Sequence, residues 1–495
     1  MQRLLLLVFL FTASLSPTLS KGQTPVQATT TSNITISYPD TLHSLRRWLP
    51  PAQQKGNRET ATRLAEKILS ILEQNGFPFA EVQLFENAPT HSFLLKVIAN
   101  HYIVWDSVVV KGEAKLSPRF LAPYLKVKRG KPYNESIVTQ AEASLNALEY
   151  VTQLRPPQPS FTPHASALYV YLDKKNANTF EGFAGFSSRE EGRGLQLTGH
   201  LNLKLTNLFG HGESFAANWE RIETNRQMLS LEANYPCLWQ TPFCLYGQFS
   251  LFRHDTGFYR LSLPVGLRYL IRGTDYLQLY YRFENSSRIG NDTGLIQRDY
   301  RSNNYGIALR LRQTDHLLLP HKGYHWEAGV ETGSKKNREN RTNSGTLSGT
   351  TWSGNMQGMI YLPIGKRWVL ASRLLTGFIS DKQLYESNLF LMGGLRSMRG
   401  VNEQSLKASA YLFVSEEIRF FLNDRLFVHA FTDGGWYERA LPSAYYRDTP
   451  LGVGVGFSLL TGGGLFSMSY AIAAHDKQPF MVKSSKISVG YNAFF

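Results

Sequence analysis

Hydrophobic and polar residues alternate with a period of two through the C-terminal two-thirds of the chain. The segment 451–459 reads LGVGVGFSL and shows the pattern best, and 277–284 and 229–235 alternate in the same way. Strict alternation predicts strands whose two faces meet different surroundings. Sixteen strands are predicted, at 179–188, 195–206, 213–222, 227–236, 243–253, 257–270, 274–285, 304–313, 323–334, 350–363, 367–380, 408–422, 425–436, 449–460, 464–473 and 485–495.

The linkers between these strands alternate in length. Three of those that follow even-numbered strands are short, at 364–366, 423–424 and 461–463. Those that follow the later odd-numbered strands are long and polar, at 286–303, 335–349, 381–407, 437–448 and 474–484. Short turns at one end and long loops at the other are typical of outer-membrane barrels. Residues 179–495 therefore predict an all-β transmembrane barrel of sixteen antiparallel strands.

The segment that precedes the barrel mixes helix and strand patterns. Apolar residues recur at helical spacing over 58–74 and over 134–149, where Asn134 is a candidate N-cap. Strands are predicted at 92–98, 103–111 and 167–172. We expect two small α+β domains here, over 36–99 and over 100–175.

The first 35 residues are predicted to lie outside these domains. Residues 1–20 combine Arg3 with the apolar run 4–11 and a tail of small residues, which predicts a secretory signal peptide. Residues 21–35 are polar and rich in threonine, and they predict a linker.

The net charge of +15 changes this picture little, because lysine and arginine are scattered through the predicted strands and loops. We find no basic helix or nucleic-acid recognition motif, so a basic lumen and loops beside phosphorylated lipid head groups are the better interpretation. The chain carries no zinc-protease, serine-hydrolase or P-loop motif and no metal-binding Cys/His spacing. We therefore predict no catalytic residues, no cofactor and no metal site.

Cys237 and Cys244 flank one predicted turn and are the two cysteines of the chain. An exported protein meets an oxidising compartment, which favours a local disulfide between them. The alternative is two unpaired thiols, one of them packed as a small apolar group.

The segment 124–151 resembles the core of a POTRA domain, with Gly130, Pro132 and Tyr133 at the turn before its second helix. Residues 36–99 resemble a degraded copy. POTRA domains precede the barrel in the BamA/TamA-type outer-membrane assembly factors, a superfamily that also includes two-partner secretion transporters. The resemblance implies β-α-α-β-β domains that handle extended polypeptide, in which a free sheet edge can accept an incoming strand.

The barrel resembles the same superfamily. The turns at 207–212 and 320–323 match weakly, and the stretch 393–404 resembles an inward-folded loop with an Arg-Gly signature, Met398-Arg399-Gly400-Val401. The usual motif has valine before the arginine and an aromatic residue after the glycine. The resemblance implies that this loop is locked inside the barrel through the six residues Arg399, Gly400, Glu417, Phe431, Asp433 and Gly435.

The alternation of the strands supports this lock independently. If Leu426, Val428 and Ala430 face lipid, Asp433 faces the lumen, and Glu417 does so by the same reasoning, although Glu416 would then face lipid. A buried guanidinium needs anionic partners, and two carboxylates on adjacent strands can supply them.

The first and last strands of the predicted barrel carry further candidate residues. Val489, Tyr491 and the terminal Phe495 lie on one face of the last strand and resemble the assembly signal of outer-membrane barrels. Gly182 and Gly185 weaken the first strand, which makes it the weaker side of the seam with the last strand.

We weigh three functions for such a chain: an assembly factor that inserts proteins at the seam, a secretion pore for one dedicated partner, and a passive porin. A porin needs no POTRA-like arm, and the short arm favours an accessory or minimal assembly factor. The expected partners are unfolded outer-membrane or secreted proteins, outer-membrane lipids and accessory assembly proteins. The expected location is the outer membrane of a Gram-negative bacterium, with the N-terminal domains in the periplasm.

Overall fold

A computed structural model describes residues 32–494, apart from 88–91, 164, 189–194, 222–225, 255–256, 273, 290–298, 317, 339–346, 396, 443 and 477. The predicted signal peptide, residues 21–31 of the predicted linker and Phe495 lie outside the described residues. The chain divides into two compact units, one up to Tyr102 and one from Ile103 to the C-terminus. None of the described helices is long and apolar enough to cross a membrane.

The first unit contains one small α+β domain. Its elements in chain order are β1 (Ser32–Ser37), β2 (Gln53–Gly56), α1 (Arg58–Glu73), β3 (Glu81–Asn87) and β4 (Ser92–Ile98). The sheet order is β2-β1-β4-β3, and Asn57 caps α1 by accepting a hydrogen bond from the Thr60 amide. The linker prediction ended four residues too late, because the polar, threonine-rich start of β1 is held by pairing with β2 and β4 rather than by hydropathy.

The second domain begins the second unit. It has the β-α-α-β-β order that the resemblance implied: β5 (Ser107–Lys111), α2 (Pro118–Tyr124), α3 (Glu135–Asn146), β6 (Val151–Thr162) and β7 (Ala165–Lys174), with sheet order β5-β7-β6. Asn134 caps α3, as predicted, by accepting a 2.9 Å hydrogen bond from the Ser136 amide. The first domain has a short 3-10 helix, Asp40–Leu45, and β2 where the second has α2.

Sixteen antiparallel strands then form the barrel, which confirms the predicted fold class. They are β8 (Thr179–Ser188), β9 (Leu195–Thr206), β10 (Ser214–Arg221), β11 (Arg226–Tyr235), β12 (Phe243–His254), β13 (Phe258–Arg272), β14 (Asp275–Arg288), β15 (Asp299–Thr314), β16 (Gly323–Arg338), β17 (Leu347–Ile364), β18 (Trp368–Ser380), β21 (Ala410–Asn423), β22 (Leu426–Leu441), β24 (Leu451–Thr461), β25 (Gly464–Ala474) and β26 (Lys486–Phe494). Two short strands, β19 (Phe390–Met392) and β20 (Leu406–Ala408), pair with each other inside the loop 381–409. A third, β23 (Ala444–Asp448), pairs antiparallel with the end of β22.

Several strands are longer than their hydropathy predicted. β14 and β15 reach Arg288 and Asp299, and β16 reaches Arg338, well into the predicted polar linkers. Alternation marks only the part of a strand that faces an apolar medium, whereas the backbone ladder continues wherever a neighbouring strand can pair. Hydropathy therefore located the membrane band of each strand but not its end.

The second domain packs against the short-turn end of the barrel. The Ser117 amide donates a 2.7 Å hydrogen bond to the Gly210 carbonyl in the turn between β9 and β10. The Glu149 carboxylate lies 2.5 Å from the ammonium of Lys204 and 3.8 Å from the guanidinium of Arg312. These contacts join the domain to β9 and β15, on different parts of the barrel wall.

Candidate functional site

The loop 381–409 folds back into the lumen of the barrel. Its residues Met392, Met398 and Val401 form one buried cluster with Tyr411 and Phe413 of the inner wall. Met398 is fully buried and Val401 is nearly so. The two departures from the family motif therefore still fill the apolar space between loop and wall.

Arg399 lies at the centre of this contact, with 7% of its surface exposed. Its Nε and Nη2 atoms donate to the two carboxylate oxygens of Asp433 over 2.8 and 2.7 Å, and its backbone amide donates to the same carboxylate over 3.0 Å. A side-on pair of this kind fixes both the position and the plane of the guanidinium. The structure thus brings together the two residues on which the predicted lock depends.

Two further donors and one face of the Arg399 guanidinium are also occupied. Nη1 donates to Glu417 over 2.8 Å and Nη2 donates to the Ser415 hydroxyl over 2.8 Å, while the Phe431 ring centre lies 3.4 Å from the guanidinium carbon. Arg419 donates to the other oxygen of Glu417 over 2.7 Å. Burial of these charges is tolerated because each has a partner of opposite sign in hydrogen-bonding geometry.

Glycines make the room that the loop occupies. Gly400 has φ +88°, and a Cβ there would lie 2.9 Å from the Ala473 side chain. On the inner face of β24, a Cβ on Gly452 would lie 2.6 Å from the Arg399 carbonyl, and one on Gly454 would lie 2.4 Å from the Phe431 ring. A Cβ added to Gly435 would lie 2.1 Å from the backbone of β21.

Part of this site was not predicted from the sequence. The glycines of β24 alternate visibly in the segment 451–459, but the pattern alone does not connect them to the loop, and nothing in it gives Ser415 a role. Their signal is present in the pattern, because small residues at inward positions of one strand leave a channel into which another element can fit. Which element fits there depends on strand neighbours far apart in sequence.

Glu416 faces outward, as its parity in β21 requires, and the pairing of β21 with β22 continues through it without a bulge. Its carboxylate accepts a 2.6 Å hydrogen bond from the Ser372 hydroxyl of β18. The neighbouring outward residues, Val414 and Ile418, are exposed and apolar. One carboxylate therefore lies within the apolar outer band of the wall, partnered by a hydroxyl.

The predicted disulfide is wrong: Cys237 and Cys244 are both free and buried. Cys237 adopts φ +55° in the turn after β11 and packs into the core of the second domain, beside residues such as Tyr124. Burial raises the pKa of the Cys237 thiol to about 12, so it stays protonated and unreactive. The turn thus uses this cysteine as a small apolar contact with the neighbouring domain, which is the alternative interpretation given above.

The seam between the first and last barrel strands is short. Among the described residues, two residue pairs join β8 to β26, Phe180 with Ala493 and Thr179 with Phe494. By contrast, β8 pairs with β9 over ten positions, and β26 pairs with β25 over eight. Most of the facing edges of β8 and β26 therefore carry no ladder partner among the residues described.

The candidate residues of the two end strands lie at this seam. Val489 and Tyr491 are exposed on the outer face of β26, as their alternation predicted. Extending the observed register places Tyr491 opposite Gly182 and Ser488 opposite Gly185. A Cβ on Gly182 would lie 2.5 Å from the His200 carbonyl of β9, so this glycine lets the two strands approach closely.

A sixteen-stranded barrel with an apolar outer band, a loop locked in its lumen and a short seam defines a class of outer-membrane proteins. The family model of the Omp85 superfamily domain matches residues 207–494, which is more than half of the chain. The chain therefore belongs to the Omp85 superfamily, and it is an outer-membrane protein of the class that inserts or secretes proteins.

Solved structures share this fold. CdiB from Escherichia coli is similar with a TM-score of 0.61 and 15% identity, over 97% of this chain and 93% of that chain. CdiB from Acinetobacter baumannii gives 0.61 and 13%, over 96% and 94%. BamA from Haemophilus ducreyi lacking POTRA domains 1–3 gives 0.50 and 15%, over 93% and 99%. No curated protein sequence matches the chain.

Proposed function

We propose that this protein is an assembly factor that inserts client proteins into the outer membrane at the seam between β8 and β26. It does so without catalytic chemistry, and its N-terminal domains lie in the periplasm and receive the clients. The observation that carries the proposal is the seam itself, where two residue pairs join strands that pair with their other neighbours over ten and eight positions.

Unpaired strand edges are what an incoming β-strand requires. An edge exposes rows of amide and carbonyl groups that another chain can pair with. In a bilayer such groups have no water to satisfy them, so pairing with a client strand is strongly favoured there. Within the part of the chain that the structure describes, separating the ladder of β8 and β26 breaks only the pairs at Phe180 and Thr179. The lumen is the less favourable route because the loop 381–409 lies within it and is locked through Arg399.

The edge strands of the two N-terminal domains differ in their capacity to pair with an incoming client strand. In the second domain the edge strand β6 contains Pro156, Pro157 and Pro159, and its pairing with β7 is irregular around them. Proline lacks an amide hydrogen and therefore cannot complete a ladder. In the first domain the edge strand β3 has no proline over its seven residues, Glu81–Asn87, and it is longer than the other proline-free edge strands, β2 with four residues and β5 with five. We therefore assign the capture of extended client segments to β3 of the first domain.

A disulfide across the seam tests the mechanism. In a background without Cys237 and Cys244, cysteines replace Gly182 and Tyr491, or Gly185 and Ser488. Each variant is expressed in a depletion strain, and the outer-membrane proteome is measured before and after reduction. We expect the levels of outer-membrane barrel proteins to fall while the disulfide is closed and to recover when it is reduced.

The matched control keeps Gly182→Cys and moves the second cysteine to Leu201, its partner in β9. This disulfide joins strands that are already fully paired, so it should leave the proteome unchanged. Seam variants that are cross-linked yet fully active would exclude the lateral mechanism.

The alternative is a secretion pore for a dedicated partner. The observation in its favour is that the fold is shared with CdiB at a higher TM-score than with BamA. The same depletion experiment distinguishes the two functions, because a secretion pore should change one exported protein and an assembly factor should change many membrane barrels.

A further inference from the structure

A lysine on β16, three strands along the wall from the arginine lock on β21, is almost completely buried. Lys335 lies on β16 and has 2% of its surface exposed. A lysine ammonium is rarely buried to this extent unless it is fully partnered. Its partners are therefore informative about what holds that part of the structure.

All three donors of this ammonium contact the first arm of the inward loop, which we define as residues 381–389. Lys335 Nζ lies 2.8 Å from the Asp381 carboxylate, 2.7 Å from the Gln383 carbonyl and 2.8 Å from the side-chain oxygen of Asn388. The rings of Tyr300 and Tyr385 flank it, with centres at 4.6 and 4.5 Å. The ammonium is thus coordinated as completely as a lysine can be.

Neighbouring wall residues contact the same arm. Arg260 of β13 donates to the Ser387 carbonyl, and Asn337 of β16 donates to the side chain of Gln383. Leu384 and Leu389 of the arm are buried against Leu441 of β22. These polar and apolar contacts form a binding site for the first arm on the inner wall, which we call its seat.

Among the hydrogen bonds and ion pairs described, this seat shares no polar partner with the arginine lock. The carboxylates of Arg399 come from β21 and β22, whereas Lys335, Arg260 and Tyr300 lie on β16, β13 and β15. Beside the seat of the first arm, the wall and the loop line a cavity of about 500 Å³, whose lining includes Arg282, Glu331 and Lys335. The loop is consequently attached to two different parts of the wall.

We propose that Lys335 is a second anchor of the inward loop, a positioning residue that holds the first arm in the lumen independently of Arg399. The second arm, which we define as residues 397–401, is held by Arg399. With both anchors in place the loop spans the lumen, and release of either anchor frees only its own arm. The inference concerns the loop alone and does not depend on the route that clients take.

Two buried reporters test the independence of the anchors. In a cysteine-free background, Ser387→Cys reports on the first arm and Val401→Cys on the second, because both residues are buried in the intact loop. The rate of labelling by a small maleimide is measured on purified, detergent-folded protein. Lys335→Met removes the first anchor, and Arg399→Ala removes the second.

We expect Lys335→Met to raise the labelling rate at residue 387 about tenfold or more, because buried thiols react through local opening, and to leave the rate at 401 within about twofold. Arg399→Ala should do the opposite. The matched control is Lys336→Met, which removes the next lysine on the exposed, outward face of β16. Exchange of the charges in Lys335→Asp/Asp381→Lys should recover part of the protection that Lys335→Met loses.

The result that overturns the proposal is labelling at 387 that does not change in Lys335→Met, or labelling at both reporters that rises equally with either substitution. Folding is verified first by the shift in gel mobility between unheated and boiled samples. If Lys335→Met does not fold, Lys335→Arg is the second variant, because guanidinium geometry cannot reproduce three point contacts and should still release residue 387.

Discussion

The carboxylate of Asp433 receives three hydrogen bonds from one residue, two from the guanidinium of Arg399 and one from its backbone amide. Side chain and backbone of a loop residue are thus held by one group on the wall. The plane of the guanidinium and the path of the loop are therefore fixed together. A variant that keeps the charge but changes the geometry should lose much of this contact.

The first prediction follows from that pair. Arg399→Ala leaves Asp433 and Glu417 without their cation, and breaking a buried pair in this way costs about 3–5 kcal/mol. We expect the barrel to insert while the second arm of the loop becomes accessible to protease. Arg399→Lys should be intermediate, since an ammonium cannot bind Asp433 side-on.

The control for these variants is Arg425→Ala, which removes an exposed arginine from the turn between β21 and β22. It should match the wild type in protease resistance and in complementation of a deletion. Equal complementation by Arg399→Ala and wild type would show that the lock has no functional role.

A second prediction concerns Gly400. Alanine there must adopt φ +88° and also place its Cβ 2.9 Å from the Ala473 side chain. Gly365→Ala is a matched control, because Gly365 has φ +72° but no atom within 4 Å of the added Cβ. Both variants carry a backbone cost of about 1–2 kcal/mol. Only Gly400→Ala should expose the loop to protease, and equal behaviour of the two would mean that close packing is unimportant there.

The state of the thiols is a third prediction. Because Cys237 and Cys244 are free and buried, a maleimide should label neither in the folded protein. After denaturation without reductant both should be labelled at once, giving a mass increase of two adducts. If the denatured protein is labelled only after reduction, the two cysteines form a disulfide and this prediction is wrong.

The contact between the second domain and the barrel gives a pH prediction. Burial alone would raise the pKa of Glu149, but the ammonium of Lys204 and the guanidinium of Arg312 hold it below its ordinary value of 4.5. A lowered pKa in the folded state means that the contact is fully stabilising above about pH 4.5 and is lost as the pH falls through the folded value. The protection of the Ser117 amide, which bonds Gly210, is measured as its exchange rate relative to the intrinsic rate at each pH, and it should fall in a step there.

Two glutamate variants separate this effect from general acid sensitivity. Glu149→Gln should show the faster exchange at neutral pH and lose the pH step. Glu142→Gln removes an exposed carboxylate from α3 of the same domain and should keep the step. If Glu149→Gln keeps the same pH-dependent change at Ser117, that change is caused by the titration of another group.

Much of the lock could be predicted from sequence because its signals are local. The parity of β22 placed Phe431 and Asp433 on one face, and the chemistry of a buried Arg399 demanded carboxylates. The same parity predicted that Glu416 faces outward, and the structure agrees. Its hydrogen-bond partner, Ser372, could not be predicted from the sequence. Alternation states which face a residue occupies, but the neighbour across a strand pair is set by register.

The sequence by itself determined the barrel and its strand number, because period-two hydropathy is a property of single segments, and the resemblance of residues 393–404 to a family loop indicated the lock. Only the tertiary structure decided the second anchor, the two pairs of the seam and the free state of Cys237. Lys335 lies 46 residues from Asp381, and Phe180 lies at the opposite end of the barrel sequence from Ala493. Such contacts exist only once every intervening strand has taken its register, because closure of the sheet is what brings distant residues together.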